Sequence, residues 1–473
     1  MILKKSLTLC IVPLVILTSM LNADELEAKI ENLSLQNALE LVKKDNLELK
    51  IAKFTEQMKA YEAKEAEGHR YGKLDVTLQA IRSNSAGNVF GFKLESREAT
   101  FGDFGAEEFM NNMGAAQQGD MTAAGRMYSD PPENLNNPKA RNHFQTKFSY
   151  MVPLYTGGKL TQYKNITNAL HTMSKLDTSK LLNEKIFQTT KTFYDISLVD
   201  NYILNLGSII DNINRLDEIV SNMREEGFAK EIDQLEVQAR KAEAMSMLSQ
   251  ATFNRELAYQ YLSFLMNSDV ESIQNVSDMA PMPTVVKEEV QKINLDIRKA
   301  KLGLEITDMA VKLQESNFLP EVGAFGEYGS ADDNLFNEFL DKDSYTIGVQ
   351  AKWNLFNGGI DKNNLERAKV ENMKVHEQVN LAKRGICLKV RKTMTEIKSE
   401  NAEIKSLEAQ LEFANRVYET YQAQYQEGIS SISDVLIKQS KELEVLLKLL
   451  TVKNERNTKI FELNSIIDKG DEI

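Results

Sequence analysis

Pro153-Leu154-Tyr155-Thr156-Gly157-Gly158 is answered downstream by Asn354-Leu355-Phe356-Asn357-Gly358-Gly359, an offset of 358 − 157 = 201 residues. The same offset carries Asn214-Arg215 onto Asn415-Arg416, Gly227 onto Gly428, Asp233 onto Asp434, Leu235 onto Leu436 and Gln238 onto Gln439. Identities that share one register mark a duplicated unit. The first copy runs over residues 24–268 and the second over 287–473. A linker, residues 269–286, separates them, and its Pro281-Met282-Pro283 breaks the helical pattern. Each copy reads in one order: helix, strand, loop, strand, Gly-Gly, very long helix, glycine turn, helix.

The strands flank the repeated motif. Leu74, Val76, Leu78 and Ala80 alternate with Lys73, Asp75, Thr77 and Gln79, so one face is apolar and the other polar. Phe144, Phe148, Tyr150, Val152 and Leu154 alternate in the same way with Gln145, Lys147, Ser149 and Met151. In the second copy Tyr345, Ile347, Val349, Ala351, Trp353 and Leu355 alternate with Thr346, Gly348, Gln350, Lys352 and Asn354. The stretch from Val322 to Tyr328 is ragged. Strands are therefore expected at about 73–82, 143–155, 320–329 and 344–356. Their lengths suit a tilted bilayer crossing, and Tyr155, Tyr345, Trp353 and Phe356 stand at their ends as aromatics do at membrane interfaces. Four strands cannot close a barrel, and open edges are not tolerated in lipid. Several copies must share one, and three copies supply twelve strands.

Past Gly157-Gly158 and Gly358-Gly359, residues 159–226 and 360–427 contain no proline. Each can form one helix of roughly 100 Å, far longer than a compact domain uses. Leu206, Ile209, Ile213, Leu216, Val220 and Met223 follow steps of three and four, a coiled-coil seam, and Leu436, Leu443, Leu447 and Leu450 form a second. Gly227 and Gly428 end the long helices, because a glycine at positive φ lets the chain reverse. Two helical hairpins result, spanning 159–268 and 360–467, with their tips expected at the end opposite the strands. The fold class is thus α+β, with a shared sheet and long antiparallel coiled-coil helices in two tandem repeats.

The first residues read as an export signal: Lys4-Lys5, an apolar run from Leu7 to Leu21, then Asn22-Ala23 ahead of Asp24-Glu25. Cleavage is expected after Ala23. Cys10 lies inside the apolar run behind Leu7-Thr8-Leu9, which does not fit lipid attachment. Without residues 1–23 one cysteine remains, Cys387, and no intramolecular disulfide can form. Omitting Lys4 and Lys5 leaves 57 − 2 = 55 basic against 69 acidic residues, a balance of −14 that argues against a nucleic-acid partner. No later stretch approaches the roughly 18 apolar residues of a transmembrane helix. Any membrane crossing must use strands.

Residues 83–142 form a long connection in the first copy where the second has a short one, residues 329–344. Its Gly87, Gly91, Gly102, Gly105, Pro131, Pro132 and Pro138 place it among the long outward loops of such barrels, as a cap, a contact surface or a tolerated insertion. His69, His143, His171 and His376 are too scattered for a metal site, and no P-loop, dinucleotide fingerprint or Gly-x-Ser-x-Gly occurs. No catalytic residue, cofactor or metal is expected, and nothing here binds nucleotide.

With these residues in place, the chain resembles the TolC-like outer membrane efflux proteins over its mature length. The resemblance rests on Pro153 to Gly158, Leu355 to Gly359, Leu319-Pro320, and Tyr425-x-x-Gly428 followed by Asp434-Val435-Leu436. It implies a homotrimer with a twelve-stranded barrel in the outer membrane of a Gram-negative bacterium and a helical barrel through the periplasm. It also implies docking on an adaptor protein and an inner-membrane transporter, for efflux or type I secretion. Tyr425, Asp233 and Asp434 match positions that close the periplasmic aperture in that family. The family's arginine falls on Ser430 and a second aspartate on Ile437, so Lys230 is the candidate cationic partner. Asp434 and Asp233 equally suit helix-start carboxylates that satisfy free N–H groups. The alternative to a duct is a periplasmic coiled-coil spacer or adaptor without a pore.

Overall fold

A computed structural model describes residues 29–284, 287–335 and 341–467; the expected export signal, residues 1–23, lies outside them. In chain order come α1 (Leu35–Asp45), α2 (Leu47–Gly68), β1 (Lys73–Ser83), α3 (Ala86–Glu95), α4 (Ala106–Gln117), α5 (Met121–Arg126), α6 (Glu133–Asn136) and β2 (Arg141–Tyr155). These are followed by α7 (Lys159–Glu225), α8 (Glu231–Met266), α9 (Lys287–Ile293), α10 (Leu295–Glu315), β3 (Glu321–Asp332), β4 (Asp343–Lys352), α11 (Ile360–Gln426) and α12 (Ile432–Ile467). No helix among the described residues is long and apolar enough to cross a membrane.

Contacts divide the chain into a helical unit, drawn from residues 1–47, 185–281 and 396–461, and a sheet unit, drawn from 48–184, 282–395 and 462–473. In the helical unit the first seam is buried at Leu206, Ile209, Ile213, Leu216 and Val220, packed with Val237 and Ala244 of α8 and with Tyr418, Tyr425, Ile432, Val435 and Leu443 of the second hairpin. The second seam is more divided than its spacing suggests. Leu443 and Leu446 join that cluster with Leu436 and Leu450 beside it, while Val445, Leu449 and Val452 turn toward Ile404 and Leu407 in a separate one. Leu447 is only half-buried, because α12 buries two faces against two neighbours and its apolar stripe is wider than one heptad line.

The sheet has the order β1-β2-β3-β4, antiparallel throughout. Its register aligns one face as rows: Leu74–Tyr150–Gly326–Ile347, then Val76–Phe148–Tyr328–Tyr345. The other face aligns Asp75–Ser149–Glu327–Thr346 and Thr77–Lys147–Gly329–Ser344. β3 is fully paired despite its irregular sequence. Gly323, Gly326 and Gly329 carry no side chain to mark a period, yet the backbone ladder needs none, and the Phe325 ring covers the space where a Gly348 Cβ would stand. β4 stops at Lys352, ahead of the expected end at Phe356; the indole of Trp353 donates to the Phe318 carbonyl at 3.0 Å and turns the chain off the ladder.

Two repeat offsets operate. Asn46 corresponds to Asn294 and Lys73 to Glu321 at 294 − 46 = 321 − 73 = 248, against 201 after the motif. The difference, 248 − 201 = 47, equals the surplus of the β1–β2 connection (residues 84–140, 57 residues) over the β3–β4 connection (333–342, 10 residues). The paired asparagines do the same work in each copy. Asn46, between α1 and α2, donates its amide to Leu265 O at 2.8 Å, and Asn294, between α9 and α10, donates to Ile466 O at 3.0 Å, a carbonyl 466 − 265 = 201 positions on. The Leu265 carbonyl lies in the last turn of α8, where no intrahelical donor exists. Alanine at either asparagine is expected to lower stability by about 1–2 kcal/mol, through the orphaned carbonyl, in a thermal melt; no change at either site would mean that water replaces the amide.

Candidate functional site

Two places collect the residues singled out above: the two-faced sheet with its strand-to-helix turns, and the hairpin tips. At the turns, Gly157, Gly158, Gly358 and Gly359 all have positive φ, from +62° to +88°. Gly157 is also crowded: a Cβ there would lie 2.8 Å from Ser316 O and 2.9 Å from Leu319 Cβ. Tyr155, Trp353 and Phe356 stand exposed at this end of the sheet, and Tyr345, opposite Tyr328, stands exposed toward the other.

The apolar face is bare. Leu74, Val76, Leu78, Ile347 and Val349 are all more than half exposed, with Leu78 at 75% and Ile347 at 79%. The polar face carries the Lys147–Glu327 ion pair at 2.7 Å and borders an open cleft of about 720 Å³ lined by Glu65, His69, Asp75, Ser149, Glu327 and Gln350. The β1 and β4 edges have no partner strand among the described residues. Water tolerates neither a bare apolar face of this size nor unpaired edges well.

At the tips, Gly227 (φ +86°) and Gly428 (φ +71°) close the two long helices in the same way. Phe228 N donates to Met223 O at 2.7 Å and Gly227 N to Arg224 O at 3.1 Å; Ile429 N donates to Gln424 O at 2.8 Å and Gly428 N to Tyr425 O at 2.9 Å. Phe228 and Ile429, equivalent positions just past the glycines, project 77% and 74% exposed. Tyr425 is buried in the hairpin core, its hydroxyl without a partner among the described residues, and burial followed by the charge of Asp233 pushes its pKa up. Ser433 Oγ donates to Glu236 Oε2 at 2.8 Å and links the two tips.

Each expected gate carboxylate caps its own helix. Asp233 Oδ2 accepts the Lys230 N–H at 2.8 Å, and Asp233 N donates back to the Lys230 carbonyl at 3.1 Å. An ammonium cannot accept a hydrogen bond, so the Lys230 side chain takes no part in this cap; its amino group makes no hydrogen bond or ion pair among the described residues. Asp434 Oδ2 accepts from Ser431 Oγ at 2.6 Å and Ser431 N at 3.3 Å, and Asp434 N donates to Ser431 Oγ at 3.2 Å, a reciprocal capping box. These bonds, the hydroxyl first, hold the Asp434 carboxyl below the usual carboxylate range, and Lys438 adds to them. Asp434 is exposed as well as capped, so its charge faces solvent.

Residues 287–467 match the family model described as outer membrane efflux protein. None of the curated proteins matches the sequence. Among solved structures the chain is similar to CusC, described with transmembrane channel formation (13% identity over 92% of this chain and 91% of that one, TM-score 0.75). It is similar also to the Campylobacter jejuni CmeC outer membrane channel (16%, 92% and 86%, TM-score 0.74) and to the Vibrio cholerae outer membrane protein VceC (14%, 92% and 94%, TM-score 0.70). At these identities the likeness is one of fold: long helices joined to a four-stranded antiparallel sheet. The family model thus matches the second copy, residues 287–467, and the chain as a whole shares the fold of these outer membrane channel structures.

Proposed function

We propose that three copies of this chain form an exit duct, with their sheets closed into a twelve-stranded barrel in the outer membrane of a Gram-negative bacterium and their helices continuing it through the periplasm. The observation that carries this reading is the sheet itself: one apolar face exposed, one polar face, two open edges. Lipid covers the first, the pore wets the second, and neighbouring copies pair the third. From Tyr345 to Trp353 are eight residues, about 26 Å along the strand and about 20 Å along the normal at a 40° tilt, close to the apolar band of such barrels, roughly 25 Å tall. Phe228 and Ile429 at the tips offer apolar contacts to a periplasmic adaptor, which joins the duct to the inner-membrane transporter of an efflux or type I secretion system. No nucleotide is used here; the pump supplies the energy.

Three Asp434 carboxylates around a narrow axis attract cations. Single-channel recording of the detergent-purified protein in a planar bilayer is expected to show a cation-selective pore. Asp434→Asn should lower that selectivity while changing stability little, because asparagine can still accept from Ser431. Unchanged selectivity would leave Asp434 only its capping role, and folded trimers without channels would count against the duct.

A further inference from the structure

The geometry points to a second constriction: the connection between β1 and β2 is a plug that stands on the pore side of the sheet and is latched through Glu98. This rests on the duct reading above. The connection is not a loose loop. It contains α3 to α6, a half-buried Lys93–Asp103 ion pair, and edge-on contacts of Phe90 with Phe104 at 5.5 Å and Phe109 with Tyr128 at 5.8 Å.

It docks on the polar face. His143 and Gln145 follow the parity of Lys147 and Ser149 on β2. The His143 ring stacks on Phe92 of α3, with centroids 4.1 Å apart and planes 9° from parallel, and its Nε2 lies 3.1 Å from Glu95 Oε2. Gln145 reaches the same carboxylate at 3.4 Å. Beneath Glu95 a cleft of about 200 Å³ is lined by Lys147, Glu327, Ser344 and Thr346, all on the polar face. At the end of β3, Ala331, the polar-face register partner of Gln145, is buried where β1 is exposed along most of its length.

Glu98 ties this body to both hairpins of the sheet. It pairs with Arg141 at the start of β2 and accepts from Lys342 Nζ at 2.6 Å just before β4; Lys342 also donates to Asp332 Oδ1 at 2.9 Å, and Arg141 lies 3.6 Å from Asp333. Arg97, held at φ +55°, donates to the Asp341 carbonyl at 3.2 Å. Two mostly buried cations are thus shared among carboxylates that belong partly to the insert and partly to the sheet, and removing the insert's carboxylate leaves both cations short of charge. A body on the polar face at the mouth occupies cross-section that solute needs, and three copies would narrow it from three sides.

The insert can be excised cleanly, because Ser83 and Arg141 at its roots are register partners. Residues 84–140 replaced by Asn-Gly, a two-residue turn suited to antiparallel strands, give the first variant and Glu98→Gln the second. Both are compared with wild type as heat-modifiable trimers, by single-channel conductance and by liposome swelling with neutral oligosaccharides. Excision is expected to raise conductance at least roughly twofold and admit larger sugars; Glu98→Gln should flicker between the two levels. A wild type that is silent while the excised form conducts would support the plug most strongly. Equal conductance and the same size limit in excised and wild-type trimers would overturn the proposal, as would steady wild-type currents from Glu98→Gln should excision prevent assembly. Silence from all the trimers would instead sink the duct reading, and the plug with it.

Discussion

Alanine at Gly72 is expected to destabilise the sheet by about 3 kcal/mol or more and to unfold it at temperatures where wild type stays folded. Gly72 turns the chain from the His69–Tyr71 turn into β1 with φ +73° and ψ −167°, a region essentially closed to residues with a Cβ. The space is closed too: a Cβ would lie 2.2 Å from Met151 O and 2.8 Å from Val152 Cα, backbone atoms that the β1–β2 ladder holds in place. Other glycines separate the two costs. Gly158, at φ +88° with nothing near its Cβ position, isolates the backbone strain, about 1–2 kcal/mol. Gly329 lacks a positive φ but would meet Thr146 O at 2.6 Å, and so isolates the contact. The melting temperature should fall furthest for Gly72→Ala. If Gly72→Ala and Gly158→Ala melt together, the close approach of Met151 O carries no energy.

How much of this was legible depends on whether the cause is local. The Gly-Gly turns, the seam from Leu206 to Val220 and the alternation of β1, β2 and β4 each follow from neighbouring residues, and they sufficed for the two-repeat, two-faced design. The 248 offset joining Asn46 to Asn294 was hidden because the insert breaks the register between copies, and one repeated asparagine is too small a signal alone. β3 looked ragged because glycine cannot carry a period. The helices of the insert are short and interrupted by Gly87, Gly91, Gly105, Gly114, Gly119 and Gly125, and what orders them, Glu98 with Arg141 and Lys342, spans up to 342 − 98 = 244 residues. At the tips, the capping roles of Asp233 and Asp434 are visible in sequence as helix-start carboxylates. The burial of the polar residues Tyr418 and Gln439 is not.

That burial leads to the second large effect. Tyr418 is 1% exposed, its hydroxyl has no partner among the described residues, and burial followed by the facing Glu442 pushes its pKa up to about 12. The folded chain therefore keeps a proton that the unfolded chain releases near pH 10, so the stabilisation is complete below pH 10 and is lost as pH rises through about 12. Two units correspond to on the order of 2–3 kcal/mol. Tyr418→Phe removes both the titration and the orphaned hydroxyl. It should match or exceed wild type at pH 7 by up to about 1 kcal/mol and should lose much less stability between pH 9 and 12 in thermal melts. Tyr425, also shifted upward, is present in both proteins, so the difference between them isolates Tyr418. Parallel alkaline losses in the two would mean that the buried phenol is hydrated and unshifted. Glu442 moves in the same direction, raised by burial and then by Glu419, so that the folded state favours its protonated form. Both groups therefore make the packed hairpins tighter toward acid and looser toward base. Within the hairpin core, acid therefore adds stability through Glu442, and strong base removes it through Tyr418.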